Sequence, residues 1–214
     1  MKRNSSFILL AILAMLAFLP LSTDAQSAKS VLDKVSSKLS SCGGIEATFN
    51  ATAYKGTKDA GSTSGKICVQ KGKFKVVSAG LSTWFDGHTQ WSLRTGSDEV
   101  YVSNPTEAEL QSMNPYTFIN IYKRGYKLQM RPTTYAGRAC HEIRMTAKNR
   151  KNGIQEMRVV IDKKSLMPRS IRMKSAGNWT RIRVGKLSTG KSWPDSFFKY
   201  SHKKNSGIEI IDLR

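Results

Sequence analysis

The sequence predicts a mainly β protein: a single curved antiparallel sheet forming an incomplete β barrel, with an N-terminal helix and two short helices acting as lid or plug. Three observations lead there. Apolar and polar residues alternate with period two through most of the chain from Ile45 onward, the mark of half-buried strands. Gly- and Pro-containing turn signals separate these runs at short intervals. Helical periodicity is confined to a few short segments, and many strands with few helices build one large sheet, its concave side covered by the helices.

Residues 1–25 read as a secretory signal peptide and residues 26–214 as one domain. Met1-Lys2-Arg3 is a basic start, Phe7 to Leu19 is an apolar run, and Ser22-Thr23-Asp24-Ala25-Gln26 supplies small residues for cleavage after Ala25, with Ala28 as second choice. The run is short for a bilayer, which takes roughly 20 apolar residues; the alternative is an uncleaved anchor. No Cys follows it directly, so a lipid-modified terminus is not expected. The chain is therefore expected to be exported from the cytoplasm.

Val31, Leu32, Val35 and Leu39 then form one apolar stripe at helical spacing, stopped by Gly43-Gly44. Ile45, Ala47, Phe49, Ala51 and Ala53 alternate with polar residues as the first strand. The polar stretch Gly56 to Gly65 reads as a hairpin loop, with a strand from Lys66 to Gln70 and another around Phe74 and Val76. Trp84-Phe85 leads into Asp86-Gly87, a tight-turn dipeptide, and Trp91 and Leu93 return from it, followed by Val100 and Val102. Pro105 to Gln111 and Tyr116 to Tyr122 read as two short helices, the first with Pro and acidic residues in its opening turn. The later strands centre on Tyr126, Leu128 and Met130, on His141, Ile143 and Met145, on Met157, Val159 and Ile161, on Ile171 and Met173, and on Ile182 and Val184.

The formal charge is +20. From Arg138 to Arg214, 19 Lys and Arg stand against 6 Asp and Glu, so 13 of the excess lies there. Such a charge speaks to partners more than to fold. Export makes nucleic acid an unexpected partner and an anionic membrane surface an available one. Cys42, Cys68 and Cys140 allow one disulfide with a free thiol, or three buried thiols. Their spacing fits no metal site, and no cofactor motif is present.

No catalytic constellation emerges either. His88, His141 and His202 sit in unrelated contexts, acidic residues are scarce, and there is no nucleophile elbow or phosphate loop. Cys140 and His141 are neighbours on a strand and point to opposite faces, so they form no dyad. The chain reads as a binding protein and not an enzyme. The later strands are apolar and Met-rich on one face; the other carries Arg144, Arg158, Arg172, Lys174, Arg181, Arg183 and Lys186. A packed interior is the default for such a pattern. Flexible Met side chains and the shortage of helices argue instead for a cavity that adapts to its contents.

The order of motifs resembles the LolA-type periplasmic carriers of outer-membrane lipoproteins. The likeness runs through Leu32-Asp33-Lys34-Val35-Ser36-Ser37, the strand to Phe49, Gly65 to Val76, the hairpin Phe85-Asp86-Gly87-His88-Thr89-Gln90-Trp91, the segment Asn114-Pro115-Tyr116-Thr117-Phe118-Ile119, and the closing strands Phe197 to Tyr200 and Gly207 to Asp212. The resemblance implies an unclosed barrel with a helical lid over an apolar cavity. It implies lipoprotein acyl chains as cargo, with an inner-membrane lipoprotein-releasing transporter and an outer-membrane acceptor as partners. It sets Phe74 and Trp91 at the cavity and Phe118 and Ile119 in the lid. With the inward positions, the candidate lipid-binding residues are Phe49, Phe74, Trp91, Val100, Phe118, Ile119, Tyr122, Leu128 and Met130, then Ile143, Met145, Met157, Ile171 and Met173. The family's Arg-Pro lid latch appears here as Lys71-Gly72, a point charge without the planar fork. A sensor or anchoring module of the same architecture is the alternative.

Overall fold

A computed structural model describes residues 23–107, 109–110, 118–123, 125–149, 153–201 and 207–214. The apolar leader and the start of the expected lid, Asn114 to Thr117, lie outside the described residues.

Helix α1, Thr23–Ser41, begins earlier than the apolar stripe suggested. Ala28 extends that stripe by one turn, and Ala28, Leu32, Val35 and Leu39 are all buried. It ends where the Cys42 amide donates to the Lys38 carbonyl and Gly43 turns left-handed at φ 73°, as glycine does without steric cost. The strands are β1 Gly44–Lys55, β2 Lys58–Gln70, β3 Lys73–Ser78, β4 Leu81–Phe85, β5 Gln90–Arg94 and β6 Glu99–Ser103. After helix α2, Phe118–Ile121, come β7 Tyr126–Tyr135, β8 Arg138–Ala147, β9 Glu156–Asp162, β10 Pro168–Ser175 and β11 Asn178–Lys191. A 3₁₀ turn, Asp195–Phe198, precedes β12, Glu209–Asp212.

All twelve strands form one open sheet in the order β12-β6-β5-β4-β3-β2-β1-β11-β10-β9-β8-β7. Consecutive strands from β1 to β6 and from β7 to β11 pair as antiparallel neighbours, and the long β1 and β11 join these two halves. One pairing departs from the antiparallel expectation: β12 runs parallel to β6. The chain leaves β11 mid-sheet and reaches the far edge by a crossover, the connection parallel pairing needs.

Two local expectations are corrected. Lys58 to Gly65 is strand, not loop; a backbone ladder needs no apolar side chains, and cross-strand hydroxyl and amide contacts such as Asn50–Ser64 and Thr52–Ser62 reinforce it. Phe197-Phe198 belongs to the 3₁₀ turn and not to a strand. Near the expected first short helix, Thr106 and Glu109 form a reciprocal capping box: the Thr106 amide donates to the Glu109 carboxylate at 2.8 Å and the Glu109 amide to Thr106 Oγ1 at 3.3 Å.

Helix α1 packs on one face of the sheet, here the inner face. It lies along β7 and against α2, and its stripe shares one buried cluster with Ile45 and Ala47 of β1, Ile67 of β2, Ile121 and Tyr122 at α2, and the apolar sides of β8 to β11.

Candidate functional site

The inner face is built in rows, because antiparallel register sets like-facing residues of adjacent strands opposite one another. Met145, Met157 and Met173 form one row across β8, β9 and β10. Ile143, Val159, Ile171 and Ile182 form the next, continued by Ala51 on β1. Under α1 these rows are packed: Ile143, Met145 and Met157 have no exposed surface. Six predicted residues therefore come together here, Tyr122, Ile143, Met145, Met157, Ile171 and Met173.

Other residues of the inner face are less covered. Phe49 of β1 and Leu128 and Met130 of β7 are only partly buried against the same cluster, as are Val69, Val76, Val184 and Leu187. Phe49 lies opposite Gly65, where an added Cβ would come within 2.8 Å of its ring. The ring thus rests on bare backbone, an arrangement only glycine permits.

A half-open cleft of about 560 Å³ opens at the C-terminal end of α1, lined by Leu39, Ile45, Val69, Lys71, Lys191 and neighbouring glycines and serines. Small-ligand sites typically have volumes of roughly 300–1,000 Å³. Lys71 stands exposed at its rim in the β2–β3 turn, in the left-handed conformation at φ 49°.

Polar contacts of Tyr122 with Asp33 and Ser36 tie the end of the lid segment to α1. The Tyr122 hydroxyl donates to the Asp33 carboxylate at 2.6 Å. Burial, then the carboxylate, pushes the Tyr122 pKa up to about 12. Asp33 is in turn held below the usual carboxylate range by Lys29, at 2.8 Å, and then by Tyr122. Sequence reasoning missed Asp33 as a site residue; its place on the polar back of an amphipathic helix does not disclose a partner 89 residues away.

The remaining predicted residues are placed elsewhere. Phe74 faces inward with Val69 and stacks on Phe85 with ring centroids 5.1 Å apart. Trp91 and Val100 take the outer face, in register with Trp84 and Val102 and with Leu93. There the segment after β11 crosses the sheet: Gln70 and Trp193 exchange two hydrogen bonds, Lys75 sits over the Phe197 ring, and Tyr200 meets the edge of Trp84. The side chains of Phe118 and Ile119 lie outside the described residues.

His141 faces inward with Ile143 and is half-buried; burial, then Lys163, lowers its pKa. Cys140 turns the other way, opposite Asp162, and burial raises its pKa. Cys42, Cys68 and Cys140 are all free thiols.

Residues 20–177 match the family of outer membrane lipoprotein carrier protein LolA. No curated protein matches the chain. Among solved structures, an uncharacterized conserved protein from Thermus thermophilus shares 12% identity at a TM-score of 0.58, covering 87% of this chain and 99% of that one. A DUF1329 family protein from Desulfovibrio piger shares 10% identity at a TM-score of 0.52, with coverage of 87% and 99%. At such identities the likeness is one of fold.

Proposed function

The chain belongs to the family of outer membrane lipoprotein carrier protein LolA, and on that premise we propose that it carries lipoprotein acyl chains across the periplasm from the inner to the outer membrane. The supporting observation is the inner face. Apolar residues of β1 to β3 and β7 to β11 line it, and Phe49, Val69, Val76, Leu128 and Met130 are left half-buried there, with Val69 also lining the cleft of about 560 Å³ at the end of α1. Half-covered apolar surface in a water-soluble fold is what a hydrocarbon chain completes. Each CH₂ withdrawn from water contributes about 0.8 kcal/mol, so acyl cargo does not cross an aqueous compartment unescorted at a useful rate.

In this reading the Met row adapts to chains of different shape, and the segment through Tyr122 opens to admit them. Phe118 and Ile119 belong to that cover and Phe74 to the floor beside the cleft. Lys71, at the cleft rim, meets the lid or the polar end of the cargo as a single point charge. Loading is driven by the inner-membrane releasing transporter, and unloading by an acceptor whose site is more apolar than the carrier's. The leader directs export and is removed near Ala25, so the mature α1 starts at or close to Gln26.

The test is native mass spectrometry of gently purified protein mixed with a fluorescent acyl probe, then with acceptor vesicles. The expected result is a folded chain that takes up acyl cargo and releases it to the acceptor, with uptake lost in Phe49→Glu. A natively folded chain that takes up no probe would refute the proposal.

A further inference from the structure

The outer face carries a second arrangement that acyl binding does not use. Register places Arg144, Arg158, Arg172 and Arg181 directly opposite one another on β8, β9, β10 and β11. Neighbouring strands lie about 4.8 Å apart, so four cations stand in line within roughly 14 Å. Like charges directly opposed destabilise a sheet. One carboxylate offsets half the row: Glu156 accepts from Arg144 at 2.8 Å and from Arg158 at 2.6 Å. Among the described residues Arg172 and Arg181 have no ion-pair partner, and the buried Nε of each lacks a hydrogen-bond acceptor.

Aromatic rings hold these guanidinium groups. Arg158 and Arg172 lie 5.3 and 5.2 Å from the Trp179 ring centre, and Arg181 lies 5.4 Å from that of Tyr54, which is paired with Trp179 across β1 and β11. The rings hold the guanidinium groups in place by cation–π contact; Arg158 is already engaged by Glu156, so the terminal N–H groups of Arg172 and Arg181 are the ones left for an oxyanion. Arg144 and Arg183 add exposed cations on the same face.

We propose that this row is a docking surface for the phosphate head groups of an anionic membrane leaflet. Four aligned cations on an open sheet exceed what one free phosphate can engage, whereas a leaflet presents phosphates side by side. Trp179 and Tyr54, apolar rings with a polar tip, suit the head-group boundary. The row lies on the face opposite the acyl-binding trough, so docking leaves that trough unobstructed.

The test is co-sedimentation of the full chain with phosphatidylcholine vesicles, with and without phosphatidylglycerol. The paired variant Arg172→Gln with Arg181→Gln is compared with Lys163→Gln with Lys164→Gln, which removes the same charge from exposed positions off the row. Wild type binds only the anionic vesicles, and salt releases it. The arginine pair weakens binding about 30-fold and Arg181→Gln alone about fivefold, from the usual contribution of a basic residue at an anionic surface. The lysine control stays within about threefold. The single variant keeps the test open if the pair fails to fold, and acyl-probe uptake by either variant keeps this result separate from the carrier reading. Equal losses in the arginine and lysine pairs would overturn the proposal in favour of bulk charge. Full displacement by inorganic phosphate, tighter binding to polyglutamate than to vesicles, or equal binding to neutral vesicles would overturn it as well.

Discussion

Replacing Tyr122 by Phe isolates the link between the lid segment and α1. The ring is 4% exposed and stays in place, so buried apolar area is unchanged and what is lost is the 2.6 Å bond to Asp33 with the hydroxyl's contact to Ser36. A hydrogen bond to a charged group contributes about 1.5–3 kcal/mol when both partners are buried. The Asp33 side chain is 45% exposed, so water replaces the lost donor, and the expected cost of removing the hydroxyl falls to about 1 kcal/mol. In a chain of this size that lowers Tm by about 2–4 °C. If the bond holds the cover shut, the same energy raises the open fraction about fivefold. Hydrogen exchange at the α2 amides and the association rate of an acyl probe then rise together by that factor. The pH dependence has a definite sign. Tyr122's pKa is raised from its ordinary 10 to about 12, so its contribution is complete below about pH 10 and is lost as pH rises through about 12. The alkaline limb of the stability curve is therefore shallower in the variant. An unchanged Tm with unchanged exchange at α2 would refute the reasoning.

Three further outcomes are expected. Met157→Ala, at a position with no exposed surface, costs about 2–5 kcal/mol in denaturant unfolding, and a loss below about 1 kcal/mol would mean the interior beneath α1 is already loose. Gly65→Ala destabilises by about 1–3 kcal/mol, since its Cβ meets the Val77 carbonyl oxygen as well as the Phe49 ring; calorimetry reads this, and Phe49→Ala in the same background relieves part of it. Asp162 accepts from the Ser165 amide at 2.8 Å, its hydroxyl at 3.0 Å and the Lys164 amide at 3.1 Å, and the Ser165 amide is the first cause of its lowered pKa. Its contribution is present above the ordinary carboxylate pKa of 3.8 and is lost as pH falls through the lower folded value, so Asp162→Asn flattens acid unfolding and costs about 1–3 kcal/mol near neutrality.

The inner rows were legible residue by residue. Period-two spacing at Ile143 and Met145, at Met157 and Val159, and at Ile171 and Met173 identifies strands with one apolar face, and the structure opposes those residues across β8 to β10. Lys58 to Gly65 was not legible as strand, because its Ser, Thr and Gly residues carry no apolar alternation while their backbone still pairs fully with β1. Trp91 was assigned to the cavity by resemblance and Val100 as an inward strand position; unbroken pairing from β2 to β6 turns them outward, since side-chain direction in a sheet follows parity and not residue type.

The β-rich class, the helix at the front, the apolar set that must leave water and the excess of positive charge all follow from local spacing and composition. Folding in three dimensions is what lets α1 fill part of the inner face, brings Tyr122 to Asp33, and stands four arginines from four strands in one row. Those are relations between residues far apart in the chain, and they arise from strand register and sheet order, which no local pattern encodes.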